Sequence, residues 1–252
     1  MLRVKLVANA GLLLEYQGTT MLVDGIFGSE AHAFSNFSPE VWQQMLRGEP
    51  PFQKIDYLLF THAHTDHFSP EMTLTYLKQR PVKGLFLPDT PEISESGLTA
   101  WLQEKKIPCA LLSQRTDRAV FRPEPGILVR ALCTRHRDKK FEHVQHLCYL
   151  LTFGEKNVLI TADLDYTTET LQQIEDIPLH AAFINPLFFS VLRRKRFFKG
   201  ELHAEHLCIY HVPFAEDDHL NMRPILQRDL EQWESTRGRV IALTEPLQEI
   251  LL

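Results

Sequence analysis

Residues 55–67 read Ile55-Asp56-Tyr57-Leu58-Leu59-Phe60-Thr61-His62-Ala63-His64-Thr65-Asp66-His67. The run 55–60 is short and mostly apolar, as a buried strand is. Three histidines and an aspartate follow within six residues, directly at its end. Imidazole nitrogens and carboxylates are the donors that suit zinc, iron or manganese. If the segment leaves the sheet as a tight loop, the alternate residues His62 and His64 point one way. Asp66 and His67 then point to a second position close by, so one short loop supplies ligands to two ions. A solvated polar loop is the competing reading, and the density of metal-binding side chains argues against it.

Upstream, residues 3–8, 12–16 and 20–23 read as strands, separated by turn residues at 9–11 and 17–18. Such a meander predicts an antiparallel sheet with one buried face. A long aromatic-studded connection over 25–54 carries a short helix at 39–46 and reads as a binding loop or lid. Downstream, Ser69-Pro70-Glu71 opens a helix to about residue 79, with Ser69 as cap and Pro70 at the first helical position. A strand at 84–87, a helix at 94–105 and a strand at 110–112 complete the first half. The second half repeats the style. Strands fall at 127–133, 147–153, 158–161, 181–184 and 207–211, with helices at 167–175 and 219–235. Two sheets packed face to face with helices outside is the layered solution this suggests.

The chain has 252 residues, 44% hydrophobic and 23% charged, an ordinary globular balance for one domain over 1–252. Its net charge of -5 argues against a protein that coats itself with nucleic acid. Cys109, Cys133, Cys148 and Cys208 are scattered and read as small buried hydrophobes in a reducing compartment. The opening alternates like a strand rather than a secretory signal, and no run reaches the roughly 18 apolar residues of a membrane span. A cytoplasmic location without membrane contact is expected.

His-x-His-x-Asp-His after an apolar strand resembles the signature of the metallo-β-lactamase superfamily, whose fold is an αββα sandwich of two mixed sheets with outer helices. The family's other motifs appear in order. Asp24, closing Thr20-Met21-Leu22-Val23, is similar to the aspartate that supports the metal loop. His136, Asp163 and His211 are similar to the third ligand, the bridging aspartate and the last histidine. The resemblance implies one metal on His62, His64 and His136, and a second on Asp66, His67 and His211, with Asp163 bridging. It also implies a hydroxide between the metals as nucleophile, oriented by Asp66, and Asp24 as acceptor for the other nitrogen of a ligand histidine. His143 and His146 compete with His136, His219 with His211, and Asp165 with Asp163.

The cofactors implied are two divalent ions, zinc first, with manganese or iron as alternatives. Overall the chain looks like bacterial metal-dependent hydrolases distantly similar to ascorbate-phosphate lactonases. The reaction implied is cleavage of an ester-like bond, in a phosphoester, lactone or thioester. A single-iron oxygen-using enzyme of the persulfide-dioxygenase type, and an RNA or nucleotide phosphodiesterase, are the alternatives. The substrate expected is a small molecule, with an anionic one suited by Arg193 and Arg194 in the basic run 193–196. Phe37, in a loop that also holds Phe27, Phe34, Trp42 and His32, is expected on the pocket wall. A homodimer is the base-rate expectation for assembly.

Overall fold

Among the described residues, fourteen strands form two seven-stranded sheets in the computed structural model. It describes residues 1–28, 34–113, 118–166, 174, 176–194, 202–233 and 239–252, with the backbone alone at 118, 193 and 194. The first sheet holds β1 (Leu2–Leu6), β2 (Leu12–Tyr16), β3 (Thr19–Val23), β4 (Tyr57–Leu59), β5 (Gly84–Pro88), β6 (Cys109–Leu112) and β14 (Glu249–Leu251). Its order is β14-β1-β2-β3-β4-β5-β6. The second holds β7 (Arg118–Glu124), β8 (Ile127–Thr134), β9 (His146–Phe153), β10 (Lys156–Ile160), β11 (Leu179–Ile184), β12 (Ala204–Ile209) and β13 (Arg239–Ala242). Its order is β13-β12-β11-β10-β9-β8-β7.

Both sheets are mixed in the same way. The pairs β14-β1, β1-β2 and β2-β3 are antiparallel, and β3-β4, β4-β5 and β5-β6 are parallel. In the second sheet β7-β8, β8-β9 and β9-β10 are antiparallel, and β10-β11, β11-β12 and β12-β13 are parallel. The meander expected at the start is therefore one half of a larger mixed sheet.

Side-chain alternation sorts the core into three layers. Leu12, Leu14, Met21 and Val23 point between the sheets and meet Tyr149, Leu151, Phe153 and Ile160. Leu13, Leu22, Leu58 and Leu85 point the other way, onto α1 (Pro39–Arg47), α2 (Pro70–Gln79) and α4 (Leu98–Glu104). Cys148, Leu150, Leu159 and Ala182 likewise meet α5 (Pro186–Arg194) and α6 (Met222–Glu231). Strands covered on both faces need apolar residues at every position, so their sequences read as continuous runs rather than alternating ones. The result is the expected four-layer αββα sandwich.

Local chemistry sets the helix ends. The Ser38 and Ser69 side chains accept the backbone N–H groups of Val41 and Met72, each with proline next in line. The helix expected over 94–105 is two pieces, α3 (Pro91–Glu95) and α4, parted at Gly97, whose φ of +77° a continuous helix cannot hold. The last helix starts later than 219 because the Asp218 carboxylate accepts the N–H groups of Met222 and Arg223, which leaves His219 outside it. The expected helix 167–175 lies almost wholly outside the described residues. Among the described residues no helix is long and apolar enough to cross a membrane.

Candidate metal centre

The direction of the strands gathers the chemistry. β1, β3, β4, β8, β10 and β12 all run toward one edge of the sandwich, by the pairings above. The residues that follow their C-terminal ends are Asn9, Asp24, the 62–67 loop, His136, Asp163 and His211. Three hydrogen bonds stitch the two sheets together there. Leu147 N–H reaches the Thr61 carbonyl at 2.9 Å, His211 N–H the Asn9 carbonyl at 3.0 Å, and the Tyr149 hydroxyl the Phe60 carbonyl at 2.8 Å.

Two donor sets form. His62, His64, His136 and Asp163 each place one ligand atom within 4.8 Å of the others, and so do Asp66, His67 and His211. Asp163 links the sets, with Oδ2 3.6 Å from His136 Nε2 and 3.7 Å from His67 Nε2, and Oδ1 3.7 Å from His211 Nε2. Asp66 Oδ2 lies 3.6 Å from His67 Nε2 and 3.5 Å from His211 Nε2.

The hydrogen bonds behind these rings decide which nitrogens face inward. Asp24 is fully buried and accepts the Thr61 N–H at 2.8 Å, the Thr61 hydroxyl at 2.6 Å and the His67 Nδ1–H at 2.9 Å. The Thr61 hydroxyl proton is thus committed, so its oxygen accepts from His62 Nδ1 at 3.0 Å. Both histidines therefore turn Nε2 inward. His62 Nε2 lies 3.0 Å from His64 Nδ1, and His67 Nε2 lies 2.9 Å from His211 Nε2. Ring nitrogens so close need a proton or a cation between them. Nε2 of His64 and Nε2 of His136 are buried with no hydrogen-bond partner among the described residues. The donor set fits divalent ions on these observations.

Electrostatics point the same way. Burial works against a charged His67, but the Asp66 and Asp24 carboxylates outweigh it and hold its pKa well above the usual value. Burial would likewise raise Asp66 and Asp163, yet His67 lowers the first and His211 the second, so both stay ionised. Burial, then the neighbouring rings, push His62 well down and His64 to about 4, leaving both neutral, as metal ligands must be. The carboxylates of Asp24, Asp66 and Asp163 beside the neutral rings of His62 and His64 make a place that favours positive charge.

The rivals for each position have other partners. His146 Nε2 accepts the Asp163 N–H at 3.1 Å and its Nδ1 lies 2.6 Å from the Thr134 hydroxyl, so this ring positions Asp163's backbone. His143 and His219 are exposed, and Asp165 sits 3.7 Å from the Arg135 guanidinium. His136 carries one cost, because Asp138 N–H donates to its Nδ1 at 3.1 Å and must release it when Nε2 takes a metal. A further grouping, His180, Glu205 and His206, lies on β11 and β12. There the Lys156 ammonium stands 3.1 Å from His180 Nε2 and the Glu205 carboxylate 2.8 Å from Nδ1, so that ring bridges a cation and an anion.

Strain collects at the same edge. Asp24, Ala162 and His211 hold φ of +47°, +46° and +61°, a region that costs a non-glycine residue about 1–2 kcal/mol. Ala162 is clamped there, with its N–H on the Tyr210 hydroxyl at 3.1 Å and its carbonyl on Asn185 Nδ2 at 3.0 Å. Asn185 also caps α5, its Oδ1 accepting the Phe188 N–H at 2.8 Å. This clamp aims the following residue, Asp163, into the site.

No family model and no curated protein matches the sequence. Solved structures do. The metallo-β-lactamase fold protein YhfI from Bacillus subtilis is 16% identical, with all of both chains covered and a TM-score of 0.62. The fold is that of the metallo-β-lactamases. Two further solved structures are similar. Igni18, a metallo hydrolase from Ignicoccus hospitalis KIN4/I, is 14% identical over 99% of this chain and 97% of its own, with a TM-score of 0.63. CmlA, a diiron β-hydroxylase from Streptomyces venezuelae, is 19% identical with a TM-score of 0.61, and this chain, wholly covered, spans 54% of its length.

On this metallo-β-lactamase scaffold two phenylalanines flank the donors. Phe34 meets His211 edge-on at 4.6 Å, and Phe141 meets His64 at 4.4 Å and His136 at 5.3 Å. Phe37, expected on the pocket wall, packs instead on Phe27 and Trp42, at 5.3 and 5.7 Å. The side chains of Arg193 and Arg194, and all of positions 32 and 195–199, lie outside the described residues. The described basic edge is a different one. Arg135, Arg137, Lys139 and Lys140 are exposed around the buried His136, with Lys140 4.6 Å above the Phe141 ring. The run Arg135-His136-Arg137-Asp138-Lys139-Lys140 was open to the same charge reasoning as 193–196.

Proposed function

We propose that the chain is a two-metal hydrolase that cleaves an ester-like bond in a small anionic substrate. The observation that carries this reading is the meeting of seven donor side chains, from four separate strand ends, in two sets joined by Asp163. His62, His64 and His136 would hold one ion, Asp66, His67 and His211 the other, and Asp163 both. Zinc is the metal that histidine and aspartate donors at a hydrolytic site suit first. Bound there, two divalent ions would supply an activated water and draw charge from the bond under attack.

The chain's own residues do the rest. Asp66, ionised and buried between His67 and His211, would orient the attacking water. Asp24 keeps His67 in the tautomer that presents Nε2. Phe34 and Phe141 wall the site against bulk water, and Arg135, Arg137, Lys139 and Lys140 offer an anionic group its counter-charges.

Assay of the zinc-loaded protein against phosphodiesters, lactones and thioesters tests the reading. One class should be hydrolysed, the activity should vanish with a chelator, and zinc should restore it. A His64→Ala variant that keeps full metal content and full activity would sink the proposal. The likeness to CmlA gives weight to a second reading, an iron-dependent oxygen-using enzyme. Iron in the purified protein, with oxygen consumption and no hydrolysis of any ester, would favour it.

A further inference from the structure

We propose that Asn9 is a positioning residue for the second metal: its amide oxygen takes the proton of His211 Nδ1 and so turns a bare Nε2 toward the ion. The inference rests on the two-metal reading. Asn9 lies in the turn 7–11 between β1 and β2, closed by Val7 N–H on the Gly11 carbonyl at 2.8 Å. This turn is pressed against the Asp24 segment. A Cβ on Gly11 would come 3.0 Å from Gly25 Cα and 3.3 Å from the Asp24 carbonyl, so glycine permits the approach.

Asn9 is fully buried and grips His211 at two points. Its carbonyl accepts the His211 backbone N–H at 3.0 Å, which holds that residue at φ +61°. Its side-chain amide lies 3.1 Å from His211 Nδ1. An imidazole that binds metal through Nε2 carries its proton on Nδ1 and needs an acceptor there. The amide turns nitrogen to the ring and leaves Oδ1 buried with no hydrogen-bond partner among the described residues. Nitrogen and oxygen of an amide have nearly the same shape, and their assignment follows from the hydrogen bonds each makes. Turning the amide over gives Oδ1 the Nδ1 proton and removes the orphan.

The choice of residue fits the charge of the site. His67 is already backed by the Asp24 carboxylate, and Asp66 and Asp163 are ionised beside it. An amide sets the tautomer of His211 without adding another negative charge to these carboxylates.

The test is titration of the metal-free protein with Zn²⁺ by calorimetry, with ions counted by native mass spectrometry. The wild type, Asn9→Leu and Asn9→Asp are compared. The wild type should take two ions. Asn9→Leu should weaken one of them about 10–100-fold and leave the other unchanged. Asn9→Asp, which can only accept, should keep both. Nitrogen-15 spectra of the zinc-loaded wild type should show the His211 proton on Nδ1. Wild-type affinity for both ions in Asn9→Leu would overturn the proposal, and so would loss of an ion in Asn9→Asp. The aspartate variant alone decides if the leucine variant does not fold. A wild-type chain that binds fewer than two ions overturns the two-metal reading itself, a separate result.

Discussion

Asp163→Ala should drop metal content from two ions per chain to one or none and cut kcat/KM at least about 10³-fold, a loss of roughly 4 kcal/mol of transition-state stabilisation. The size follows from position. Its two carboxylate oxygens approach His136, His67 and His211 at 3.6–3.7 Å, so one side chain serves both donor sets. Asp165, two residues on, does not replace it, because its carboxylate is turned to Arg135. The backbone at 163 is held independently, by His146 on its N–H and by Arg137 N–H on its carbonyl, so the variant should fold. Metal analysis with circular dichroism separates loss of ligand from loss of fold. A folded Asp163→Ala protein that still carries two ions would contradict the bridging role.

Asp24→Ala should destabilise the metal-free protein by at least about 3 kcal/mol, since three buried donors lose their acceptor and each unsatisfied donor costs about 1–3 kcal/mol. Alanine also tolerates the φ of +47° less well than aspartate does, which adds to the loss. For a chain of 252 residues the melting temperature should fall by roughly 6–12 °C. Urea unfolding of metal-free wild type and variant measures the effect without the contribution of bound ions. A change below about 1 kcal/mol would mean that water or a shifted loop satisfies Thr61 and His67, and that Asp24 does not organise the ligand loop.

How far the sequence discloses these features depends on whether they are local. The 62–67 loop, Asp24, Asp163 and His211 each follow an apolar strand directly, and parallel strands deliver such residues to one edge, so their convergence was readable along the chain. The third histidine was not, because His136, His143 and His146 all fall in one stretch between the end of β8 and the first residue of β9. What separates them is the exposure of His143 against the burial of His136, and the bond from Asp163 N–H to His146, all products of tertiary packing. Asn9 gave no signal, since it sits 202 residues from His211 in a turn whose composition is that of any turn. Phe34 and Phe37 are three apart in one loop, and only the packed loop shows which one reaches the site. Short edge strands were missed for a related reason. β13 and β14 have four and three residues, too few for periodicity to register. The break at Gly97 was legible in principle, because glycine inside a helical pattern is a candidate stop.

The central claim is that this edge of the sandwich holds two metal ions. It is tested most directly by counting metals, by mass spectrometry, on protein purified without added metal and again after zinc is supplied. About two zinc or manganese ions per chain is the result expected. A protein that stays without metal when zinc is supplied, or that carries one iron and takes no second ion, would contradict it.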